Sequence, residues 1–277
     1  MLKLHVMLKK LASAALVALI IASPATAGSG GFSPKDVANI DILPGWRTET
    51  GTYMTALRVT LAPGWKTYWR APGDAGIPPR FDWDGSRNLS AVRFHWPAPS
   101  VFEANGMRTV GYKNELILPI ELTPRTKGKD ITLRANVELG VCEDICVPMQ
   151  VKVSADLKGA GASDARIKGA MAARPATGKE AGLRGVKCGV EPISDGLRLT
   201  ARVDMPSLGR NEIAVFELPD QTIWVSEASV ARSGRTLTAT SDMVPSNSAP
   251  FLLDRSQVRI TVIAGSGQAV DIMGCNG

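Results

Sequence analysis

Val141-Cys142-Glu143-Asp144-Ile145-Cys146-Val147-Pro148 carries two of the four cysteines in a chain of 277 residues. On its N-terminal side, Ile131 to Leu139 alternates apolar and polar residues; on its C-terminal side, Val151, Val153, Ala155 and Leu157 continue the alternation. Period-two patterning on both sides predicts two strands, with Glu143-Asp144-Ile145 as the turn of a hairpin.

That placement sets the chemistry. Within one extended strand, residues four apart lie about 13 Å apart, too far for a disulfide. Facing residues of an antiparallel pair lie about 4.5–5.5 Å apart at Cα, which a disulfide accepts. Cys142 and Cys146 can therefore make and break a bond with little backbone movement. A permanent cross-link around so short a loop adds little stability, because the constraint on the unfolded chain grows with loop length. This favours a redox or thiol role over a hairpin staple, with metal ligation as a third reading.

Working outward, residues 1–27 read as a secretory signal peptide. Lys3, Lys9 and Lys10 supply the positive start, Leu11 to Ala22 a short apolar run, and Ala25-Thr26-Ala27 a small-x-small cleavage site. No later stretch reaches the roughly 18 apolar residues of a membrane helix. The expectation is export to the periplasm with no membrane insertion after cleavage, and export permits disulfides. The formal net charge is +6, and the three signal lysines account for half of it. The remaining excess is mild and forms no Lys/Arg run, which argues for solubility and against nucleic-acid binding.

Length suggests about two domains. Gly28 to Asp36 reads as a flexible start. Thr52 to Leu61 alternates, with Tyr53, Thr55, Leu57, Val59 and Leu61 on one face, and Val92–Trp96 and Leu116–Leu122 read as further strands. Between them, Trp65 to Trp83 is aromatic and rich in turn-forming residues. Such aromatics more often fill a core than a ligand shelf, but Trp65, Tyr68 and Trp69 are candidates for a wall beside the cysteine hairpin. Residues 158–185, rich in Gly, Ala and Lys, read as a linker with a short helix capped by Ser163-Asp164 and stopped by Pro175. Residues 186–277 show four more strand patterns, at Leu197–Val203, Glu212–Leu218, Arg235–Thr240 and Val258–Ile263. The expected fold is all-β: two β-sandwich units, 28–157 and 186–277, joined by a short, partly helical linker. Cys188 and Cys275 flank the second unit, and a structural disulfide between them would close a long loop.

Several motifs together carry a family resemblance. Gly64-Trp65-Lys66-Thr67-Tyr68-Trp69-Arg70, then Pro72-Gly73-Asp74-Ala75-Gly76, then the hairpin from Gly140 to Pro148 resemble the periplasmic amino-terminal region of the DsbD/ScsB-type thiol:disulfide interchange proteins. Pro192 to Arg198 and Pro250 to Ser256 are similar to the second half of that region in the ScsB branch. The resemblance implies immunoglobulin-like sandwiches and a catalytic redox pair, Cys142 and Cys146, that needs no cofactor beyond its own disulfide. It implies a protein-disulfide reductase component exchanging electrons with thioredoxin-like periplasmic proteins or a membrane electron donor. The membrane and thioredoxin-like domains of that family are absent from this sequence, so the expectation is a stand-alone module fed by an outside donor.

The alternative is a non-enzymatic copper-binding or copper-tolerance module. Two thiolates suit Cu(I), and Met149 would add a soft thioether beside Cys142 and Cys146. Structural zinc needs four ligands, and His95 is the one histidine after the signal segment. No Gly-x-Ser-x-Gly elbow or phosphate-binding glycine loop is present.

Overall fold

A computed structural model describes residues 34–104, 106–247 and 249–276. The expected signal peptide and the first residues after it lie outside the described residues; those next in line begin with a short helix, α1 (Pro34–Val37), where the sequence suggests a flexible start. Ten strands follow. They are β1 (Ala38–Arg47), β2 (Tyr53–Leu61), β3 (Lys66–Tyr68), β4 (Arg80–Asp82) and β5 (Leu89–Phe94), then β6 (Ser100–Ala104), β7 (Met107–Lys113), β8 (Glu115–Pro124), β9 (Ile131–Cys142) and β10 (Cys146–Leu157). One sheet runs β1-β2-β8-β5 and the other β10-β9-β3-β7-β6, with β4 also on β9. Their facing sides interdigitate: Leu57, Val59, Leu118, Ile120 and Leu122 meet Leu133, Val137 and Val141 in one buried cluster. These are the alternating apolar positions of each strand, as sandwich packing requires.

The segment after β10 docks on this sandwich. Arg47 donates its backbone N–H to Ala160 O at 2.8 Å, and Ala162 donates to Gly45 O at 2.9 Å. Asp164 then caps α2 (Ala165–Ala172) by accepting the Arg166 backbone N–H at 2.8 Å. Ile167 of α2 is fully buried with Leu43, Met54 and Ala56. This explains a departure from the sequence pattern in β2. Both of its faces are buried at Met54 and Ala56, because the helix covers the side that alternation assigns to solvent.

The chain continues through β11 (Ala176–Thr177) into β12 (Gly185–Ile193), β13 (Gly196–Asp204), β14 (Ile213–Glu217) and β15 (Ile223–Val225), then β16 (Ser229–Ser233), β17 (Thr236–Pro245), β18 (Arg259–Ile263) and β19 (Ala269–Met273). The sheets are β11-β19-β18-β14 and β12-β13-β17-β15, with β16 also on β17. The architecture is all-β, with two immunoglobulin-like sandwiches. They share an apolar contact, since Ile213, Ile263 and Ala269 are buried in the core cluster of the first sandwich. Arg70 reinforces it with a two-point ion pair to Glu217, at 2.8 and 2.9 Å, while its guanidinium stacks on Trp69 at 4.1 Å.

Candidate functional site

Strands β9 and β10 pair in unbroken register from Ile131↔Leu157 to Cys142↔Cys146. The last pair of the ladder is thus the cysteine pair, and Glu143-Asp144-Ile145 closes the hairpin with Glu143 donating its backbone N–H to Ile145 O at 3.2 Å. The two cysteines are disulfide-bonded with Cα atoms 4.2 Å apart.

The two sulfurs live in different surroundings. Cys142 is 1% exposed, whereas Cys146 faces solvent beside Ile145, an apolar side chain that is 62% exposed. Tyr68 lies behind the pair. Its hydroxyl donates to Cys142 Sγ at 2.7 Å and lies 3.2 Å from Cys146 Sγ. Burial raises the Tyr68 pKa, so the phenol keeps its proton at neutral pH and remains a donor. Positive charge shares this sheet face. Lys66 is the strand partner of Cys142, and partners across a ladder point the same way. Burial and then Lys113 lower the Lys66 pKa. Both ammonium groups sit over the Phe102 ring, at 5.6 and 5.0 Å.

A residue that sequence reading overlooked makes room for this arrangement. A Cβ on Gly140 would meet Ile77 Cβ at 2.7 Å and the Tyr68 ring at 3.0 Å. Only glycine lets Tyr68 lie flat against β9 and reach the sulfurs. A lone glycine inside a strand pattern is itself a signal of close approach. Likewise Gly64, at φ +88°, leaves space that Glu143 fills, turning that carboxylate back onto the β2–β3 turn.

The other candidates separate. Trp65 and Trp69 belong to the buried core of the first sandwich, and the Tyr68 hydroxyl reaches both sulfurs. Met149 is buried in that same core. It stands an odd number of residues from Cys146 on one strand and so faces the opposite side of the sheet. The thioether expected for a copper site is therefore not beside the thiols, and among the described residues no group of three or more His, Cys, Asp or Glu side chains is placed to hold a metal ion. His95 pairs with Glu121 at 3.1 Å. Cys188 and Cys275 are bonded to each other, joining β12 to the segment after β19.

The site is thus a disulfide at the tip of the longest hairpin of an immunoglobulin-like sandwich, with Cys146 at the surface and Cys142 buried beside a phenol. Residues 39–158 match the family model for the N-terminal domain of the thiol:disulfide interchange protein DsbD. Residues 39–158 thus carry a domain of the DsbD N-terminal type. The crystal structure of the N-terminal periplasmic domain of ScsB from Proteus mirabilis is similar in fold over 89% of this chain and 96% of that one, with a TM-score of 0.61 and 24% identity. The reduced DsbD N-terminal domain of Neisseria meningitidis aligns with 47% of this chain and 91% of its own at 18% identity, with a TM-score of 0.28. No curated protein matches the chain. Among the described residues, no helix is long and apolar enough to cross a membrane.

Proposed function

We propose that this protein is a periplasmic thiol:disulfide exchange module that trades electrons with thioredoxin-like partners through Cys142 and Cys146. The observation that carries the reading is the asymmetry of the pair: Cys146 is exposed at an apolar tip, and Cys142 is buried under a hydrogen-bond donor. A partner thiolate attacks Cys146 Sγ, forming a mixed disulfide and expelling Cys142 as thiolate. Tyr68 donates to that leaving sulfur and stabilises its charge. The partner's second thiolate then attacks its own bonded sulfur, leaving as a disulfide and releasing Cys146. Two electrons pass to this protein, which takes up protons at the two sulfurs, and the partner is oxidised; the reverse sequence reduces a partner disulfide. The periplasmic setting is supported by the ScsB neighbour, described as a periplasmic domain.

The test is trapping. Cys142→Ser and Cys146→Ser are expressed separately, quenched in acid and run on non-reducing gels. Cys142→Ser keeps the exposed sulfur and should accumulate a reducible adduct with a thioredoxin-like protein, with less from Cys146→Ser. If neither traps a partner, the exchange function is wrong.

A further inference from the structure

A cavity of about 800 Å³ lies between the two sandwiches. The segment from Arg70 to Asp74, with Arg108, forms one side; β14 and the stretch from Asp220 to Ala228 form the other. Three features of it point to one kind of occupant.

The first is an open strand edge. All five residues of β14 border the cavity, and among the described strands β14 pairs only with β18, at the end of its sheet. It carries no proline, lysine or bulge, the devices that normally blunt an edge. Five residues span about 16 Å of unpaired backbone donors and acceptors, a template for adding an extended peptide.

The second is charge. The walls hold two arginines against four carboxylates, although the chain as a whole is basic. Arg70 is matched by Glu217 and Arg108 by Glu227, at 2.8 and 3.7 Å, which leaves Asp74 and Asp220 in excess. Asp220 is occupied in its own turn by the Thr222 hydroxyl and backbone N–H. Asp74 instead accepts the indole N–H of Trp224 at 3.0 Å, and Trp224 is 50% exposed. A carboxylate fixed to the edge of an exposed indole suits a cationic side chain, which gains both the charge and the ring quadrupole.

The third is continuity with the disulfide. The Tyr68 hydroxyl, in contact with both sulfurs, lies 3.5 Å from the carbonyl of Ala75, the residue after Asp74. One loop thus borders Tyr68, which lies behind the sulfur pair, on one side and the cavity on the other.

We propose that this cleft binds an extended, basic segment of the redox partner, which adds as a strand to β14 and sets a lysine or arginine on Trp224 and Asp74. The identity of the occupant as redox partner rests on the exchange function proposed above; the binding itself does not. The probe is a fluorophore-labelled pentapeptide, acetyl-Val-Lys-Val-Lys-Val-amide, compared with its Glu counterpart and with a backbone N-methylated form, by anisotropy against the purified protein. The Lys peptide should bind wild type and the Cys142→Ser/Cys146→Ser double variant alike. The Glu peptide should bind at least about tenfold more weakly, since like charges then face each other, and the N-methylated peptide should fail because it cannot join the ladder. Trp224→Ala and Asp74→Asn should each weaken binding by about 2- to 30-fold. Equal affinity for the Lys and Glu peptides, undiminished binding of the N-methylated form, or indifference to both substitutions would overturn the cleft. So would a concentration-dependent dimer in sedimentation that Asp74→Asn dissolves, since the occupant would then be a second copy. The double-serine variant reads the cleft without exchange and the trapping gel reads exchange without the peptide, so either can fail alone.

Discussion

The two sandwiches have the same layered plan but differ in what covers them and in where each disulfide sits. In the second, β17 alternates strictly between buried and half-buried residues, the signature of a strand with one face on a core. In the first, β2 is buried at nearly every position because α2 lies on its outer side. The disulfides differ more. Cys188 and Cys275 are 87 residues apart and tie the ends of the second sandwich together, with Cys188 buried. Cys142 and Cys146 are four apart at a hairpin tip that the ladder already holds closed, with one sulfur exposed. The first bond closes a loop that no local structure closes; the second duplicates a constraint that the strands supply. A bond that contributes little to stability can be broken and remade without unfolding its domain, which is what an exchange site requires.

The largest effect should come from the bond that closes the longer loop. Replacing Cys188 and Cys275 by serine should cost about 4–5 kcal/mol in chemical denaturation, against about 2 kcal/mol for the Cys142/Cys146 pair. In a graded reductant titration followed by alkylation and mass spectrometry, Cys142 and Cys146 should label first. Equal stability losses, or labelling of Cys188 and Cys275 first, would break the contrast between a structural and an exchangeable bond.

Next comes the helix that only the first sandwich carries. Ile167→Ala empties a fully buried position and should cost about 2–5 kcal/mol. We propose that residues 158–185 divide the chain into two units, so limited trypsin should cut there first, at exposed Lys179 or Arg184, and faster in this variant. Earlier cutting inside either sandwich would count against the division.

Tyr68→Phe sharpens the comparison within the site itself. It removes the donor from Cys142 and leaves the packing of the ring on Gly140. Exchange with a thioredoxin-like protein at pH 7 should slow about tenfold, the worth of one hydrogen bond to a charged sulfur, with thermal stability little changed. An unaltered rate would remove Tyr68 from the chemistry.

The smallest expected effect is at the cap of α2. The Arg166 side chain and backbone N–H hold the Asp164 carboxyl at about 2, below its usual 3.8. A carboxyl depressed in the folded state stabilises it above the unfolded pKa, and the contribution fades as pH falls through the folded value. Asp164→Ala should cost about 1 kcal/mol or less at pH 7, since the group is largely solvated. The gap between variant and wild type should close between pH 3.8 and about 2. A constant gap across that range would assign the effect to something other than the charge.

The hairpin from Ile131 to Leu157 was legible because both strands are long, strictly alternating and adjacent in sequence, so local pattern and final pairing coincide. The Asp164 cap and the Pro175 stop of α2 were legible for the same local reason. The opposed facing of Met149 and Cys146 was also present, in their odd spacing on one strand, although the chemistry of the thioether drew attention away from it. Short strands were not readable. β3 and β4 have three residues each, too few to show a period, and lie in a stretch dense with Pro and Gly. They become strands only because distant partners lie beside them: β3 sits between β7 and β9, and β4 pairs with β9.

The sequence by itself therefore determined that there is a cysteine pair at a hairpin tip, a second pair around a second β unit, and an all-β chain. Tertiary structure alone decided what those cysteines face. Tyr68 reaches Cys142 because β3 pairs with β9 and Gly140 admits the ring. Arg70 meets Glu217, and Asp74 meets Trp224, across 147 and 150 residues. Local alternation fixes which side of a strand a residue occupies; which strand lies alongside is set by burial summed over the whole core, and no short window of sequence contains that sum.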